Sequence, residues 1–197
     1  ASQGAYQFDP TILREYDIRG QIGKNLSEND AYALGKAFGT YVRRKTGGNV
    51  ICVGFDGRHS SPAMSDNLIK GLISVGIEVH NVGLGPTPML YYAVKSSGAD
   101  AGVMVTGSHN PSDYNGFKMC LQKSPVFGEK IQEIGRIAAS GDFESGEGSE
   151  TTKDICNSYV HRLLEDLTTD KKFKIAWDAG NGAAGNILRM LAAKLPG

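Results

Sequence analysis

Short apolar runs alternate along the chain with segments in which apolar residues recur every three or four positions. Runs of the first kind, typical of buried strands, cover residues 49–56, 78–82 and 101–105. Segments of the second kind, typical of amphipathic helices, lie before, between and after these runs. The alternation predicts an α/β fold whose sheet is mainly parallel and lies between layers of helices.

Two of the helices have recognisable N-terminal ends. Ser27 and Asp30 have the spacing of a capping box, and Gly47 follows the last apolar position of that helix. Ser60 and Ser61 precede the next helix, where their hydroxyl groups can cap the free backbone N–H groups. Both helices are therefore expected to follow polar turns that contain a capping side chain.

The sheet is expected to be mixed, because one strand runs backwards. The sequence Tyr114-Asn115-Gly116 is a turn signal, and residues 117–121 that follow it have the pattern of a return strand.

An amphipathic helix over residues 129–139 then completes the first domain. Residues 140–152 are rich in glycine, serine and acidic residues, which predicts a surface linker. We therefore predict a first domain over residues 1–150.

Residues 151–197 contain the opening βα unit of a second, similar domain. A helix is predicted over residues 154–167, a buried strand over 173–179 and a further helix over 183–195. One such unit cannot cover both of its apolar faces. The second domain is therefore expected to be incomplete and to need further residues.

Composition excludes several classes of function. Lysine and arginine total 21, as do aspartate and glutamate, so no overall positive field favours nucleic acid or an anionic membrane surface. No segment has the features of a signal peptide or a membrane helix. The 3 cysteines have no CxxC spacing, which argues against zinc and favours a reducing, cytoplasmic location.

The candidate chemistry lies in the loop over residues 106–111, which reads Thr-Gly-Ser-His-Asn-Pro. It follows a buried strand, where open α/β sheets place ligand sites. Gly107 permits backbone angles closed to other residues, so the loop can hold Ser108 and His109 rigidly. Because adjacent residues make a poor serine and histidine pair, a phosphorylated Ser108 is the better hypothesis. Its charge would need cations, for which Lys118, Arg19 and a divalent metal are candidates.

A second glycine-rich motif points to a different chemistry. Residues 180–185 fit the G-x-G-x-x-G pattern of dinucleotide-binding loops, between a predicted strand and a predicted helix. The acidic residue expected about 20 positions later would fall beyond Gly197, and the unit stands last in the chain. Close packing of helix against strand explains these glycines equally well. Neither a G-x-S-x-G elbow nor a P-loop is present.

Five segments, in order along the chain, resemble motifs of the phosphohexomutases, specifically the bacterial phosphomannomutase/phosphoglucomutase branch. They are LREYDIRG (13–20), VGFDGRHSSP (53–62), TGSHNP (106–111), YNGFK (114–118) and DAGNGAAG (178–185). The resemblance implies an enzyme that interconverts hexose 1-phosphates and hexose 6-phosphates of glucose or mannose. It works through a phosphoserine and a hexose 1,6-bisphosphate, which is both intermediate and activator.

The resemblance also implies roles for individual residues. Ser108 would carry the phosphoryl group and bind Mg²⁺ through it, while Tyr16 and Arg19 would line the substrate site. His109 and Lys118 would assist proton transfer or orient the phosphate. The family uses four domains around one cleft, and this chain resembles the first and the start of the second. We therefore expect an incomplete chain that is inactive alone and needs the C-terminal domains as its partner.

Three other functions are weighed against this one. Phosphoglucosamine mutases share the Ser-His-Asn-Pro sequence, but their opening segment and the residues before their serine usually differ from those here. A non-catalytic α/β module that binds sugar phosphate would retain the fold without forming a phosphoenzyme. A nicotinamide-binding protein is the third alternative, and it depends on the glycine motif at 180–185 alone.

Overall fold

A computed structural model of the chain describes residues 4–196. Its sheet contains seven strands, numbered in chain order: β1 Ile18–Gln21, β2 Val50–Phe55, β3 Glu78–Leu84, β4 Ala101–Val105, β5 Tyr114–Leu121, β6 Ser124–Pro125 and β7 Ser149–Thr152. The strand order across the sheet is β1-β5-β4-β2-β3-β7, and β6 pairs with β5. Strands β4, β2, β3 and β7 run parallel, whereas β5 is antiparallel to both β1 and β4. The prediction of a mixed, mainly parallel sheet is confirmed.

Residues 4–196 contain six α-helices: α1 Glu28–Thr46, α2 Ser61–Ile73, α3 Thr87–Ser97, α4 Glu129–Ser140, α5 Cys156–Leu164 and α6 Gly185–Ala192. Helices α1, α2 and α4 pack on one face of the sheet, and α3 packs on the other. The side chains of β2 alternate between these layers, since Ile51 and Val53 belong to the larger core and Cys52 to the smaller one. The result is the expected three-layer α/β/α arrangement.

The two predicted helix caps have different outcomes. At α1, the Ser27 hydroxyl oxygen accepts from the backbone N–H of Asp30, and the Asp30 carboxylate accepts from the backbone N–H of Ser27, so the capping box is confirmed. At α2, Ser60 is the N-cap residue but makes no side-chain capping bond. Its hydroxyl oxygen accepts a hydrogen bond from the buried Asn115 instead. The serine-capping prediction is therefore wrong for Ser60, because a longer-range partner takes the hydroxyl.

The predicted linker at 140–152 contains an unexpected strand. Its last four residues form β7, which pairs in parallel with β3, although all four side chains are exposed. Residues 141–148 cross α1, where Arg44 forms ion pairs with Asp142 and Glu144. This stretch therefore belongs to the edge of the first sheet. The domain boundary at residue 150 stays a prediction.

The predicted buried strand at 173–179 is wrong. Phe173, Ile175 and Trp177 are 56%, 50% and 45% exposed, and these residues are assigned to no strand in the described part of the chain. An isolated strand leaves its backbone groups and its apolar side chains without partners. Both flanking helices are shorter than predicted, since α5 covers Cys156–Leu164 and α6 covers Gly185–Ala192.

Among residues 4–196, no helix has the length and apolar character needed to cross a membrane.

Candidate active site

The loop at 106–111 begins directly after β4, between β2 and β5 at the carboxyl end of the parallel strands. The backbone N–H of Thr106 donates to the carbonyl oxygen of Gly116, which continues the pairing of β4 with β5 for one residue. Gly116 is also the register partner of Arg19 in β1. The start of the serine loop therefore lies in one row with Arg19, as open α/β sheets place their sites.

Ser108 occupies an unusual backbone conformation. Its φ is +54°, in the left-handed region that side chains other than glycine rarely adopt, and the residue is exposed. Gly107 does not have a positive φ, so its predicted role in supplying unusual backbone angles is wrong. Its role is spatial, because a Cβ there would overlap the guanidinium group of Arg58 and lie 2.7 Å from the carbonyl oxygen of Tyr114.

Arg58 fixes the serine loop from the neighbouring β2–α2 turn. Its Nη2 donates to the carbonyl oxygens of Ser108 (3.1 Å) and Asn110 (2.7 Å), and its Nη1 donates to those of Pro111 (2.6 Å) and Tyr114 (3.0 Å). The side chain is only 13% exposed. A planar guanidinium with five forked N–H donors can serve four carbonyl oxygens at once, whereas a lysine ammonium has only three N–H donors.

Asp56 holds the other side of the same loop. Its Oδ2 accepts from the hydroxyl of Thr106 (2.8 Å) and from the backbone N–H of Gly107 (3.2 Å), and it also lies 3.3 Å from Nε of Arg58. The Thr106 hydroxyl oxygen in turn accepts from the backbone N–H of Ser108 at 3.0 Å. Hydrogen bonds therefore hold Ser108 in its strained conformation from both sides.

A cavity of about 570 Å³ lies beside Ser108. His109, which is exposed, lines it together with Ser108, and so do Asp56, Arg58 and His59. Residues 181–184 of the glycine motif close another side. The motif that suggests a dinucleotide loop in the sequence thus faces the serine loop, with φ values of +57° at Gly180 and +56° at Asn181.

The two predicted cations, Arg19 and Lys118, both form ion pairs with the carboxylate of Asp17, which was not among the predicted site residues. Asp17 is buried, and its Oδ2 forms ion pairs with Nη2 of Arg19 and, at 3.2 Å, with Nζ of Lys118. The side chains of Arg19 and Lys118 are 19% and 28% exposed. Lys118 also lines a second cavity of about 320 Å³ with Tyr16, which is 75% exposed.

The two cavities lie on the same face of the sheet. Lys118 is the register partner of Met104 in β4, and Met104 lines the cavity that contains Ser108. Side chains of register partners point to the same side of a sheet. The structure therefore places Ser108 with His109 in one cavity, and Tyr16 with Lys118 in its neighbour.

The site residues missed by sequence reasoning are Asp17 and Asp56. Each lies within one of the motif segments, at 13–20 or 53–62. The motif does not show which of its charged side chains is buried and paired inside the protein. Their contacts reach residues 50 to 101 positions away in the chain. The only sequence signal was the concentration of charges next to predicted buried strands, where a charge needs a partner.

The Mg²⁺ ion expected at a phosphate on Ser108 stays a prediction. Within 4–196, no group of three or more His, Cys, Asp or Glu side chains is arranged to hold a metal ion. Asp56, the carboxylate in the serine cavity, is already engaged by Thr106, Gly107 and Arg58. These residues therefore do not fit a complete magnesium site.

The fold and the site define a class, an α/β/α domain that presents a rigidly held serine at the carboxyl end of a mixed sheet. Residues 10–145 match the family model described as "Phosphoglucomutase/phosphomannomutase, alpha/beta/alpha domain I". The chain belongs to the phosphoglucomutase/phosphomannomutase family, and the resemblance inferred from the five motifs is confirmed.

Individual relatives agree with this assignment. The chain is 41% identical over 185 residues to a phosphomannomutase/phosphoglucomutase of Pseudomonas putida, covering 94% of this chain and 40% of the relative. It is 43% identical over 176 residues to a phosphoglucomutase of Neisseria meningitidis serogroup B, covering 88% and 38%. A solved structure of a family protein from Burkholderia thailandensis superposes with a TM-score of 0.88 at 40% identity, covering 94% and 42%. The chain thus spans about 40% of the length of the curated relatives.

Proposed function

We propose that this chain provides the phosphoserine-carrying part of an enzyme that interconverts hexose 1-phosphates and hexose 6-phosphates of glucose or mannose. The observation that carries the proposal is the conformation of Ser108, which is exposed beside a cavity while its backbone is held at φ +54°. Phosphoryl transfer depends chiefly on positioning and on charge neutralisation. A fixed, exposed hydroxyl meets the first requirement, and the cations paired on Asp17 would contribute to the second.

In the proposed reaction, the phosphoryl group on Oγ of Ser108 moves to a free hydroxyl of the hexose phosphate. The bond from Oγ to phosphorus breaks and Oγ takes a proton from the charged Lys118, while a bond from the sugar oxygen to phosphorus forms and the proton of the sugar hydroxyl passes to His109. The product is a hexose 1,6-bisphosphate. After the bisphosphate reverses its orientation, its other phosphoryl group returns to Ser108, which leaves the isomeric monophosphate and a reloaded serine.

Arg19 and Lys118 are proposed to neutralise the negative charge of the phosphoryl group, and Tyr16 to contact the sugar phosphate. Support comes from the shared carboxylate of Asp17, which keeps the two cations together, and from the cavity that Tyr16 lines with Lys118. Arginine and lysine both bind phosphate through charge-assisted hydrogen bonds. The Mg²⁺ ion stays a proposal, and the only ligand that this chain would contribute is a phosphate oxygen on Ser108.

We further propose that the 197 residues alone do not turn over substrate and that C-terminal domains like those of its relatives complete the cleft. Support comes from the relatives, which are more than twice as long, and from the exposed apolar side chains of Phe173, Ile175 and Trp177. Glucose 1-phosphate with Mg²⁺ and a trace of glucose 1,6-bisphosphate provides the assay. Formation of glucose 6-phosphate at the rate of a full-length relative would contradict this proposal. The cytoplasmic location stays a prediction.

Intact-mass spectrometry tests the phosphoserine directly. In the chain extended by C-terminal domains like those of its relatives, incubation with glucose 1,6-bisphosphate is expected to add about 80 Da, and fragmentation is expected to locate the added mass on Ser108. The matched control is Ser108→Ala, which should gain nothing under the same conditions. Phosphate on a different residue, or none on Ser108 before and after incubation, would favour the non-catalytic sugar-phosphate module.

A further inference from the structure

Asp17 lies at the centre of a cluster of charged side chains, and no motif gives this residue a role. The residue is 5% exposed, and one of its carboxylate oxygens contacts both Nη2 of Arg19 and Nζ of Lys118. A carboxylate this deeply buried is strongly destabilised unless cations and hydrogen bonds compensate for the lost hydration. The two cations provide that compensation, and the carboxylate in turn fixes where their charged groups lie.

The backbone around Asp17 explains how the side chains of Asp17, Arg19 and Lys118 meet. Asp17 directly precedes β1, so Arg19, two residues later, points to the same face. Ile18 is the register partner of Phe117 in β5, which brings Lys118 beside Asp17. The contact thus joins the first strand of the sheet to a strand about 100 residues later in the chain.

Asp17 also shapes the turn that presents Tyr16. Its carbonyl oxygen accepts a hydrogen bond from the backbone N–H of Arg14 at 3.0 Å, which closes a tight turn with Tyr16 at its exposed tip. Tyr16 and Lys118 then line the same cavity. One buried residue therefore touches or orients each of the other proposed substrate contacts in this half of the site.

The charges make this arrangement sensitive to the carboxylate. Arg19 and Lys118 contribute two positive charges, and Asp17 contributes one negative charge between them. Without the carboxylate, two cations held close together in a partly buried place would repel each other and would lose their ion pairs. Flexible lysine and arginine side chains would respond by turning toward solvent.

We propose that Asp17 is a positioning residue, which holds Arg19 and Lys118 at the spacing in which they meet a phosphate on Ser108. The inference rests on the proposed function, because it takes these two cations to be the partners of that phosphate. Asp17 itself would not touch the phosphate, since its contacts described above go to the cations. Its removal would therefore act on the phosphate only through Arg19 and Lys118.

The test uses the 197-residue protein with phosphoserine incorporated at position 108 during translation. The pH titration of its phosphate is followed by ³¹P NMR in buffer with EDTA. A free phosphoserine loses its second proton near a pKa of about 6, and nearby cations lower that midpoint. In Asp17→Asn, the cations leave the site and the midpoint is expected to rise by about 0.5 pH units or more. Asp17→Glu, which keeps the charge, is expected to recover part of the difference.

Two outcomes would overturn the positioning role. An unchanged midpoint in Asp17→Asn would mean that Asp17 serves the fold alone, and a lowered midpoint would mean that it acts as a direct counter-charge without holding the cations. Amide ¹H–¹⁵N spectra confirm that each variant is folded. Because Asp56, Arg58, His59 and His109 line the cavity beside Ser108, the series is repeated with both histidines replaced by glutamine.

A further variant separates this inference from the proposed function. Lys118→Met removes one cation and leaves Asp17 paired with Arg19. A raised midpoint in Lys118→Met with no change in Asp17→Asn would reject the positioning role and keep Lys118 as a phosphate partner. No change in either variant would reject both the positioning role and the assignment of Lys118 to the phosphate.

Discussion

Nη2 of Arg58 lies 3.1 Å from the carbonyl oxygen of Ser108, although 50 residues separate them in the chain. The same guanidinium group donates to three more carbonyl oxygens of the loop and its return strand. A single side chain thus replaces the backbone pairing that the serine loop lacks. Buried carbonyl groups that lose such a donor are left unsatisfied.

Replacement of Arg58 by lysine is expected to lower the free energy of unfolding by about 1–3 kcal/mol, because the ammonium group cannot reach four carbonyl oxygens. Urea denaturation measures the change. The matched control is Arg136→Lys, since Arg136 pairs with Glu129 at a position where both side chains are largely exposed. That control should change the free energy by at most about 0.5 kcal/mol. Equal effects at the two positions would argue against the proposed role of Arg58.

Gly107→Ala is expected to displace Arg58, because the added Cβ would overlap its guanidinium group and approach the carbonyl oxygen of Tyr114. We expect a loss of stability of about 1–3 kcal/mol and a lower uptake of phosphate by Ser108. Gly57→Ala in the adjacent turn is the control, since a Cβ there meets no atom within 4 Å. Thermal unfolding and intact mass provide the two measurements. Normal behaviour of Gly107→Ala would show that the loop adapts to the extra methyl group.

The positive φ of Ser108 predicts that glycine is more stable than alanine at this position. Both substitutions remove the hydroxyl group, so the comparison isolates the backbone. Left-handed geometry costs a residue with a Cβ about 1–2 kcal/mol relative to glycine. We expect the free energy of unfolding of Ser108→Gly, measured by urea denaturation, to be about 1 kcal/mol higher than that of Ser108→Ala. The reverse order would mean that the backbone at Ser108 is not strained.

Thiol chemistry provides a test that depends on pH. Burial raises the pKa of the Cys120 thiol from 9.0 to about 11, so at pH 8 it should contain about 100-fold less thiolate than in the unfolded chain. Alkylation by iodoacetamide, located by peptide mass, should be slower by a similar factor in the native protein than in urea. Because the folded state holds this proton more tightly, stability should fall as the pH rises from about 9 to about 11. Equal native and unfolded rates would contradict the burial of Cys120.

Much of the fold was predictable because its strands and helices have clear periodicities. The strand at 101–105 and the helix that starts after Ser27 were predicted closely, since each has a local signal. Strand β7 was missed because Ser149–Thr152 has no apolar residue and is defined by its pairing with β3 alone. The strand at 173–179 was predicted wrongly because its apolar pattern, although regular, finds no neighbouring strand in the described structure.

The candidate site was predictable only in part, for a related reason. Ser108 and His109 share a recognisable loop, but the residues that hold this loop and its cations act over long distances in sequence. Asp56 reaches Thr106, and Asp17 reaches Lys118, which is 101 residues away. A local pattern shows that a charge lies near a buried strand but does not identify its partner. The positive φ of Ser108 has no signal in the sequence, since glycine stands next to it.

The position of β1 in the sheet has a consequence for synthesis on the ribosome. Ile18 pairs with Phe117, so β1 finds its place only after β5 has been made. At translation rates of about 5–20 residues per second, the N-terminal segment waits roughly 5–20 seconds for that strand. During this interval β2, β3 and β4 can already associate, whereas Lys118, the partner of Asp17, has not yet been made. The cation half of the site is therefore assembled only once β5 has been made and the nascent chain closes this edge of its sheet.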